Sequence, residues 1–215
     1  MFLDIKICGL KTPEAVAAAL DAGASHVGFI FFGKSPRNVA PAEAAALRAA
    51  ASGRAQAVAV TVDADDALLD EISTAMQPDA FQLHGRESPQ RVAEVKARYR
   101  RPVIKAFSVS APADLAAIGA YVGVAARSLF DAQPPKDAVL PGGNGVAFDW
   151  SVLSGLPRGV DYFLSGGLNA ANVGEALRIA TPPAIDVSSG VESAPGVKDL
   201  RLIETFFRAV AAARG

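Results

Sequence analysis

The chain has 215 residues, and a content of 51% hydrophobic and 20% charged residues is typical of a globular protein with a sizeable core. A formal net charge of -1 and the lack of a Lys/Arg-rich tract exclude a basic surface for a nucleic-acid backbone, so nucleic acid is not an expected partner. One cysteine and two histidines exclude an internal disulfide and provide no ligand cluster of the zinc type.

Short β-rich runs alternate along the chain with Ala- and Leu-rich amphipathic stretches, at a spacing of roughly 25 residues. The predicted strands are Asp4–Ile7, His26–Phe31, Gln56–Val62, Ala80–Leu83, Val103–Ala106, Ser128–Phe130, Asp161–Leu164 and Ala184–Val187. The predicted helices are Pro13–Ala22, Pro41–Ala51, Asp65–Met76, Pro89–Arg98, Pro112–Ile118, Asp149–Ser154, Ala171–Ile179 and Leu200–Ala213. Several helices begin with proline, which suits a first helical turn.

Eight such units predict an α/β fold in which one domain, residues 1–215, closes into a (β/α)8 TIM barrel. The site of such a barrel lies at the carboxyl ends of its strands. The strand pattern begins by Leu3, which leaves no room for a signal peptide, and no apolar run reaches the length of a membrane span. We therefore expect a cytoplasmic protein without a membrane partner. The sequence leaves open whether it is a monomer or a homodimer.

Three glycine-rich segments in the last third of the chain predict a phosphate site. Glycine lets the backbone approach a ligand closely, and successive free N–H groups form a cradle for an anion. Any one segment alone is better explained as a tight turn. Together they match the phosphate loops of a barrel, which follow strands seven and eight. The candidate residues are Gly143, Asn144, Gly145, Gly166, Gly167, Ser188, Ser189 and Gly190.

Polar side chains at strand ends are the candidates for chemistry, because alternate residues of a barrel strand point inward. This alternation directs Lys6 and Cys8 of the first strand toward the barrel axis, and Asp131 at the end of the sixth strand toward the same mouth. A thiol and a carboxyl group on nearly opposite strands suit proton transfer. The alternatives are a cysteine that is only a small buried hydrophobe and an aspartate that only caps a turn.

Two further inward residues are predicted by the same alternation. Asp186 of strand eight adjoins Lys6 in a closed barrel, so we expect an ion pair between them below the site. His84 follows the fourth strand, where a hydrogen-bonded structural histidine is the alternative to a direct role in the site.

Five segments together resemble the phosphoribosylanthranilate isomerase family, in order and in spacing along the whole chain. The segments are Lys6-Ile7-Cys8-Gly9-Leu10, Phe81-Gln82-Leu83-His84-Gly85, Gly142-Gly143-Asn144-Gly145 with Phe148-Asp149-Trp150, Leu164-Ser165-Gly166-Gly167-Leu168, and Asp186-Val187-Ser188-Ser189-Gly190-Val191-Glu192 with Pro195-Gly196-Val197-Lys198-Asp199. The resemblance implies an Amadori rearrangement of N-(5-phosphoribosyl)anthranilate in tryptophan biosynthesis. It implies a small phosphorylated substrate and neither a metal nor an organic cofactor.

The roles of individual residues follow from the same resemblance. It makes Cys8 the general base that removes the proton from C2 of the ribosyl unit, and Asp131 the general acid that protonates the ring oxygen. A free thiol is mostly protonated and a free aspartate mostly ionised at neutral pH, so the site must adjust both groups. We expect Lys6 to favour the thiolate of Cys8. Arg37, after the second strand, resembles the arginine that binds the anthranilate carboxylate, and a bidentate pair is expected there.

The sequence departs from the family pattern at three positions. Asn144 stands where threonine is common, Ala132 where a hydroxyl residue is common, and Asp63 where asparagine is more usual. The first two put in doubt the side-chain hydrogen bonds near the phosphate and the acid, and the third leaves an acidic group without an assigned use.

Two other classes of function stay open from the residues. Another phosphate-binding barrel isomerase is the nearest, although the histidine-pathway isomerases resemble a pattern with aspartate where this chain has Cys8. A non-catalytic barrel that binds a phosphorylated ligand would keep the glycine segments without needing Cys8 or Asp131.

Overall fold

The protein is described by a computed structural model that covers residues 3–51, 53–134, 138, 140–145, 147–156 and 160–215. Eight parallel strands close into a barrel in sequence order, and the last strand pairs with the first. The strands are β1 Asp4–Cys8, β2 His26–Phe31, β3 Gln56–Thr61, β4 Ala80–Leu83, β5 Val103–Val109, β6 Arg127–Ala132, β7 Tyr162–Leu164 and β8 Ala184–Val187. The predicted TIM barrel is therefore confirmed.

Six α-helices lie in the described part of the chain. They are α1 Pro13–Ala22, α2 Pro41–Ala51, α3 Asp66–Met76, α4 Pro89–Tyr99, α5 Val173–Ala180 and α6 Leu200–Arg214. Side-chain caps begin several of them: Thr12, Asp65 and Ser88 each accept a bond from a backbone N–H of the first turn. None of the helices within these ranges combines the length and the apolar character needed to cross a membrane.

The fifth and sixth connections differ from the α-helices expected there, because both are 3-10 helices. Pro112–Tyr121 starts with a tight turn in which the carboxylate of Asp114 accepts the backbone N–H groups of Ser110 and Ala111. Trp150–Gly155 has six residues, too few for a stable α-helix. A short hairpin after β8 was not predicted; its strands are β9 Glu192–Ala194 and β10 Val197–Lys198.

The core has two layers, as the alternation along the strands predicts. Ile5 and Ile7 pack in the larger layer between strands and helices, whereas Cys8 and Leu129 belong to the smaller layer inside the barrel. Phe163 also fills the interior, so the barrel is packed rather than hollow below its mouth.

A polar cluster closes the opposite, N-terminal end of the barrel. Arg127 pairs with Asp4 and Asp161, each at 2.8 Å, and its guanidinium lies over the ring of Phe163. The buried His26 ring meets Phe163 edge-on at 5.2 Å. This end therefore contributes to stability and lies away from the strand ends that carry the candidate site.

Candidate active site

A cavity lies at the carboxyl ends of the strands, and most of the predicted site residues line it. Its volume, counted as the space open to the centre of a water molecule, is about 70 Å³. Its walls include both residues expected to carry chemistry, together with residues of the loops after β2, β4, β6, β7 and β8. The predicted residues in its walls are Cys8, Arg37, His84, Asp131, Gly143, Gly166, Gly167, Ser188 and Ser189.

Cys8 ends β1 above a buried ion pair. Lys6 Nζ donates to Asp186 Oδ1 at 2.8 Å, across a register that places these two residues opposite each other. This confirms the predicted pair. Ser165 Oγ donates to Asp186 Oδ2 at 3.2 Å, which ties the end of β7 to the same carboxylate. Burial opposes the charge of Lys6, but Asp186 and Cys8 outweigh it and raise the pKa of Lys6, so the ammonium stays charged.

Lys6 favours the thiolate of Cys8, as expected. The pKa of Cys8 is nevertheless raised overall. Burial raises the pKa of Cys8, and the positive charge of Lys6 only partly reverses this, while Asp186 adds to the rise. Without a ligand, Cys8 is therefore a thiol at neutral pH. Cys8 must therefore lose its thiol proton after substrate binds before it can act as a base.

Asp131 ends β6 within a short chain of polar contacts. His84 Nε2 lies 3.3 Å from Asp131 Oδ2, and Gln82 Nε2 lies 3.0 Å from His84 Nδ1. The N–H of Ala132 donates to the other carboxylate oxygen at 2.9 Å. His84 thus contacts partners through both ring nitrogens while also lining the cavity. The departure at Ala132 leaves this backbone contact to Asp131 in place.

Arg37 is buried beside the hairpin rather than exposed on its loop. Its Nε and Nη2 donate to Glu192 Oε1 and Oε2 at 2.7 and 2.9 Å, and Nη2 also lies 3.2 Å from the carbonyl of Gly143. The bidentate partner in this structure is therefore Glu192. Lys198 Nζ donates to Glu192 Oε1 at 2.7 Å and to the carbonyl of Ser188 at 2.8 Å.

The glycine loops after β7 and β8 meet at one side of the cavity. Gly166 has φ +89° and makes no hydrogen bond to any part of the chain that the structure describes, so its N–H is available to a ligand. A Cβ at Gly190 would collide with the carbonyl of Leu168, which shows how closely the two loops pack. This arrangement has the form of the anion cradle that the sequence predicts.

Three predicted binding residues do not reach the cavity wall. Asn144 Nδ2 donates to the carbonyl of Leu140 at 3.2 Å, which closes the turn on itself. A Cβ at Gly145 would meet Ser189 Oγ at 3.8 Å, and Gly190 packs against the carbonyl of Leu168 in the β7 loop.

Sequence reasoning assigned no role to three residues that the structure brings to the site. Gln82, Glu192 and Lys198 lie within the segments that carried the family resemblance, but strand alternation assigns a direction only to Gln82.

The departure at Asp63 now has a structural explanation. Its Oδ1 accepts the N–H of Arg86 at 2.6 Å and so holds the loop after β4.

Comparisons with known proteins agree with this geometry. The sequence model described as N-(5'phosphoribosyl)anthranilate (PRA) isomerase matches residues 5–209. A relative from Mesorhizobium japonicum named N-(5'-phosphoribosyl)anthranilate isomerase is 71% identical over 214 residues, covering 100% of this chain and 98% of the relative. A relative of the same name from Brucella canis is 65% identical over 211 residues, covering 98% and 95%.

Solved structures give the same result at lower identity. The phosphoribosyl anthranilate isomerase of Thermotoga maritima is 31% identical with a TM-score of 0.86, covering 98% of this chain and 100% of that one. A phosphoribosyl anthranilate isomerase in complex with reduced 1-(o-carboxyphenylamino)-1-deoxyribulose 5-phosphate is 30% identical, with a TM-score of 0.83 and coverage of 98% and 100%. On these matches the chain belongs to the N-(5'-phosphoribosyl)anthranilate isomerase family.

Proposed function

We propose that this chain is an isomerase that converts N-(5-phosphoribosyl)anthranilate to 1-(2-carboxyphenylamino)-1-deoxyribulose 5-phosphate in tryptophan biosynthesis. The observation that carries the proposal is the presence of Cys8 and Asp131 in the wall of one cavity, on strands β1 and β6. A proton donor and a proton acceptor on different strands can reach different atoms of one bound sugar.

The two residues divide the proton transfers between them. Asp131 gives its proton to the ring oxygen, and the bond between that oxygen and C1 breaks as the nitrogen lone pair forms a Schiff base. The thiolate form of Cys8, present once its thiol proton has left, then takes the proton from C2, and the released electron pair flows back to the nitrogen to give an enolamine. C1 then gains a proton while the hydroxyl on C2 loses one, which converts the enolamine to the ketone, so the reaction is balanced without an external oxidant or reductant.

The remaining walls hold the two ends of the substrate. The β7 and β8 loops, with Gly166, Gly167, Ser188 and Ser189, receive the phosphate through backbone N–H groups and hydroxyls. Arg37 receives the anthranilate carboxylate. Single-domain organisation, a cytoplasmic location and a monomeric or homodimeric state complete the proposal. The Thermotoga maritima family member is described as dimeric, with monomers generated from it.

Turnover of freshly prepared N-(5-phosphoribosyl)anthranilate, followed by the fluorescence of its aromatic ring, tests the proposal. Cys8→Ala and Asp131→Asn should each lower kcat by more than about tenfold, since one proton transfer contributes roughly 10²–10⁴-fold. Both variants should still bind the reduced product analogue. Asp21→Asn, at an exposed aspartate on α1, serves as the matched control and should keep full activity.

Each alternative gives a different result. Full turnover in both variants contradicts the assigned chemistry. Ligand binding without any turnover by the wild-type chain indicates a non-catalytic phosphate-binding barrel. Turnover of a different phosphorylated aminoaldose, with none of this substrate, indicates another isomerase.

A further inference from the structure

Glu192 lies on the short hairpin that follows β8, and this hairpin packs directly on the loop that carries Arg37. Gly196 at the hairpin turn has φ +80°, and its N–H donates to Glu192 Oε2 at 3.2 Å. A Cβ at Gly196 would collide with the carbonyl of Pro36, so the two backbones are in contact. Glu192 is therefore a rigidly supported carboxylate.

The hydrogen bonds that Arg37 makes to the described residues leave its Nη1 unused. Nε and Nη2 are occupied by Glu192 and by the carbonyl of Gly143. None of the bonds found in the described ranges uses Nη1, and a Cβ at Gly143 would lie 2.7 Å from that nitrogen. A guanidinium has five N–H donors in a fixed fork, so fixing one edge determines where the other edge points.

The charges of the cluster favour an anionic ligand. Arg37 carries a positive and Glu192 a negative charge, Lys198 adds an amine whose pKa burial lowers, and all three side chains are at most 5% exposed. Although burial favours the neutral acid, the hydrogen bond from Arg37 and the charge of Lys198 lower the pKa of Glu192. With Lys198 protonated, the cluster at the edge of the cavity carries one positive charge that Glu192 does not compensate.

Resting on the isomerase function above, we propose that Glu192 is a positioning residue for substrate recognition. It holds the Arg37 guanidinium so that Nη1 faces the aromatic carboxylate of the substrate, and Lys198 keeps the cluster cationic. A donor that is fixed before binding loses less conformational freedom when the ligand arrives, so it binds the carboxylate more tightly than a freely rotating arginine would.

The test compares two ligands that differ only in the carboxylate. The first is reduced 1-(o-carboxyphenylamino)-1-deoxyribulose 5-phosphate, and the second is its analogue with a plain phenyl ring. Calorimetry on Glu192→Gln should show about tenfold weaker binding of the first ligand, since hydrogen bonds to charged groups are involved, and less than about twofold change for the second. Glu204→Gln, at an exposed glutamate of α6, should change neither affinity.

A double-mutant cycle separates positioning from a general structural effect. In the Arg37→Ala background, Glu192→Gln should no longer alter the affinity for the carboxylate ligand. Equal losses for both ligands, or a loss that persists in that background, would overturn the role of Glu192. Glu192→Asp keeps the charge but withdraws it by one methylene, and it gives the same comparison if Glu192→Gln does not fold.

Turnover by the wild-type chain distinguishes this inference from the function on which it rests. No turnover of N-(5-phosphoribosyl)anthranilate by the wild-type chain refutes the isomerase function. Normal wild-type turnover together with unchanged carboxylate affinity in both Glu192 variants refutes only the positioning role.

Discussion

Protonation of His26 should destabilise the fold in mild acid. Its ring is buried at the N-terminal end of the barrel, with Nδ1 2.8 Å from Ser25 Oγ and an edge-on contact to Phe163. Burial lowers the pKa of His26 to about 4, from an ordinary value of 6.5, and the positive charges of Arg127 and Lys6 add to this against the attraction of Asp4 and Asp186.

The size of the effect follows from the difference between the folded and unfolded pKa. Well above pH 6.5 the ring is neutral in both states and contributes no pH dependence. As the pH falls from 6.5 toward 4, the unfolded chain binds a proton that the folded chain does not, so stability decreases. Between about pH 7.5 and about pH 5 the loss is roughly 2 kcal/mol, and it levels off below the folded pKa.

Two measurements check this magnitude. With only two histidines in the sequence, the ring signals of His26 can be identified in an NMR titration by their loss in His26→Gln. Urea unfolding of both proteins should show that the stability difference between wild type and His26→Gln falls by about 2 kcal/mol from about pH 7.5 to about pH 5. A titration midpoint of His26 near 6.5, or a difference that does not change with pH, would refute the reasoning.

Two further predictions concern the mouth of the barrel. Alkylation by iodoacetamide at Cys8, the only cysteine, should increase with pH with a midpoint above the ordinary pKa of 9.0, because burial raises the pKa of its thiol; a midpoint below that value would contradict this environment. Gly166→Ala should cost roughly 1–3 kcal/mol in urea unfolding and reduce turnover, because its φ is +89° and a Cβ would lie 2.6 Å from the backbone nitrogen of Ala132. Gly174→Ala on α5 is the control, since a Cβ there meets only Ala213 at 3.5 Å, and equal losses in the two variants would exclude this explanation.

Features that depend on strand alternation could be predicted from the sequence. The eight strands, the inward direction of Cys8 and the pairing of Lys6 with Asp186 follow from a period of two and from closure of a parallel sheet. Both are local or topological regularities. They determine the direction of a side chain without any knowledge of what packs around it.

Features that depend on non-repeating backbone could not be predicted in this way. Arg37 and Glu192 are 155 residues apart, and their contact depends on a hairpin whose strands have only three and two residues. The net protonation of Cys8 is likewise set by burial, which has no sequence signal of its own and outweighs the charge of Lys6. Turn geometry also separates Asn144 from the cavity, although its neighbour Gly143 lines it.

The turn at Gly142 and Gly143 has a consequence for inhibitors. Gly142 lies against Asp131 and His84, and Gly143 lies against Arg37, so a ligand that contacts all three side chains displaces part of this turn. Displacement releases Arg37 Nη2 from the carbonyl of Gly143. A compound that carries its own acceptor at the position of that carbonyl oxygen would recover the lost bond, whereas one with a hydrocarbon group there would leave a buried cationic donor unsatisfied.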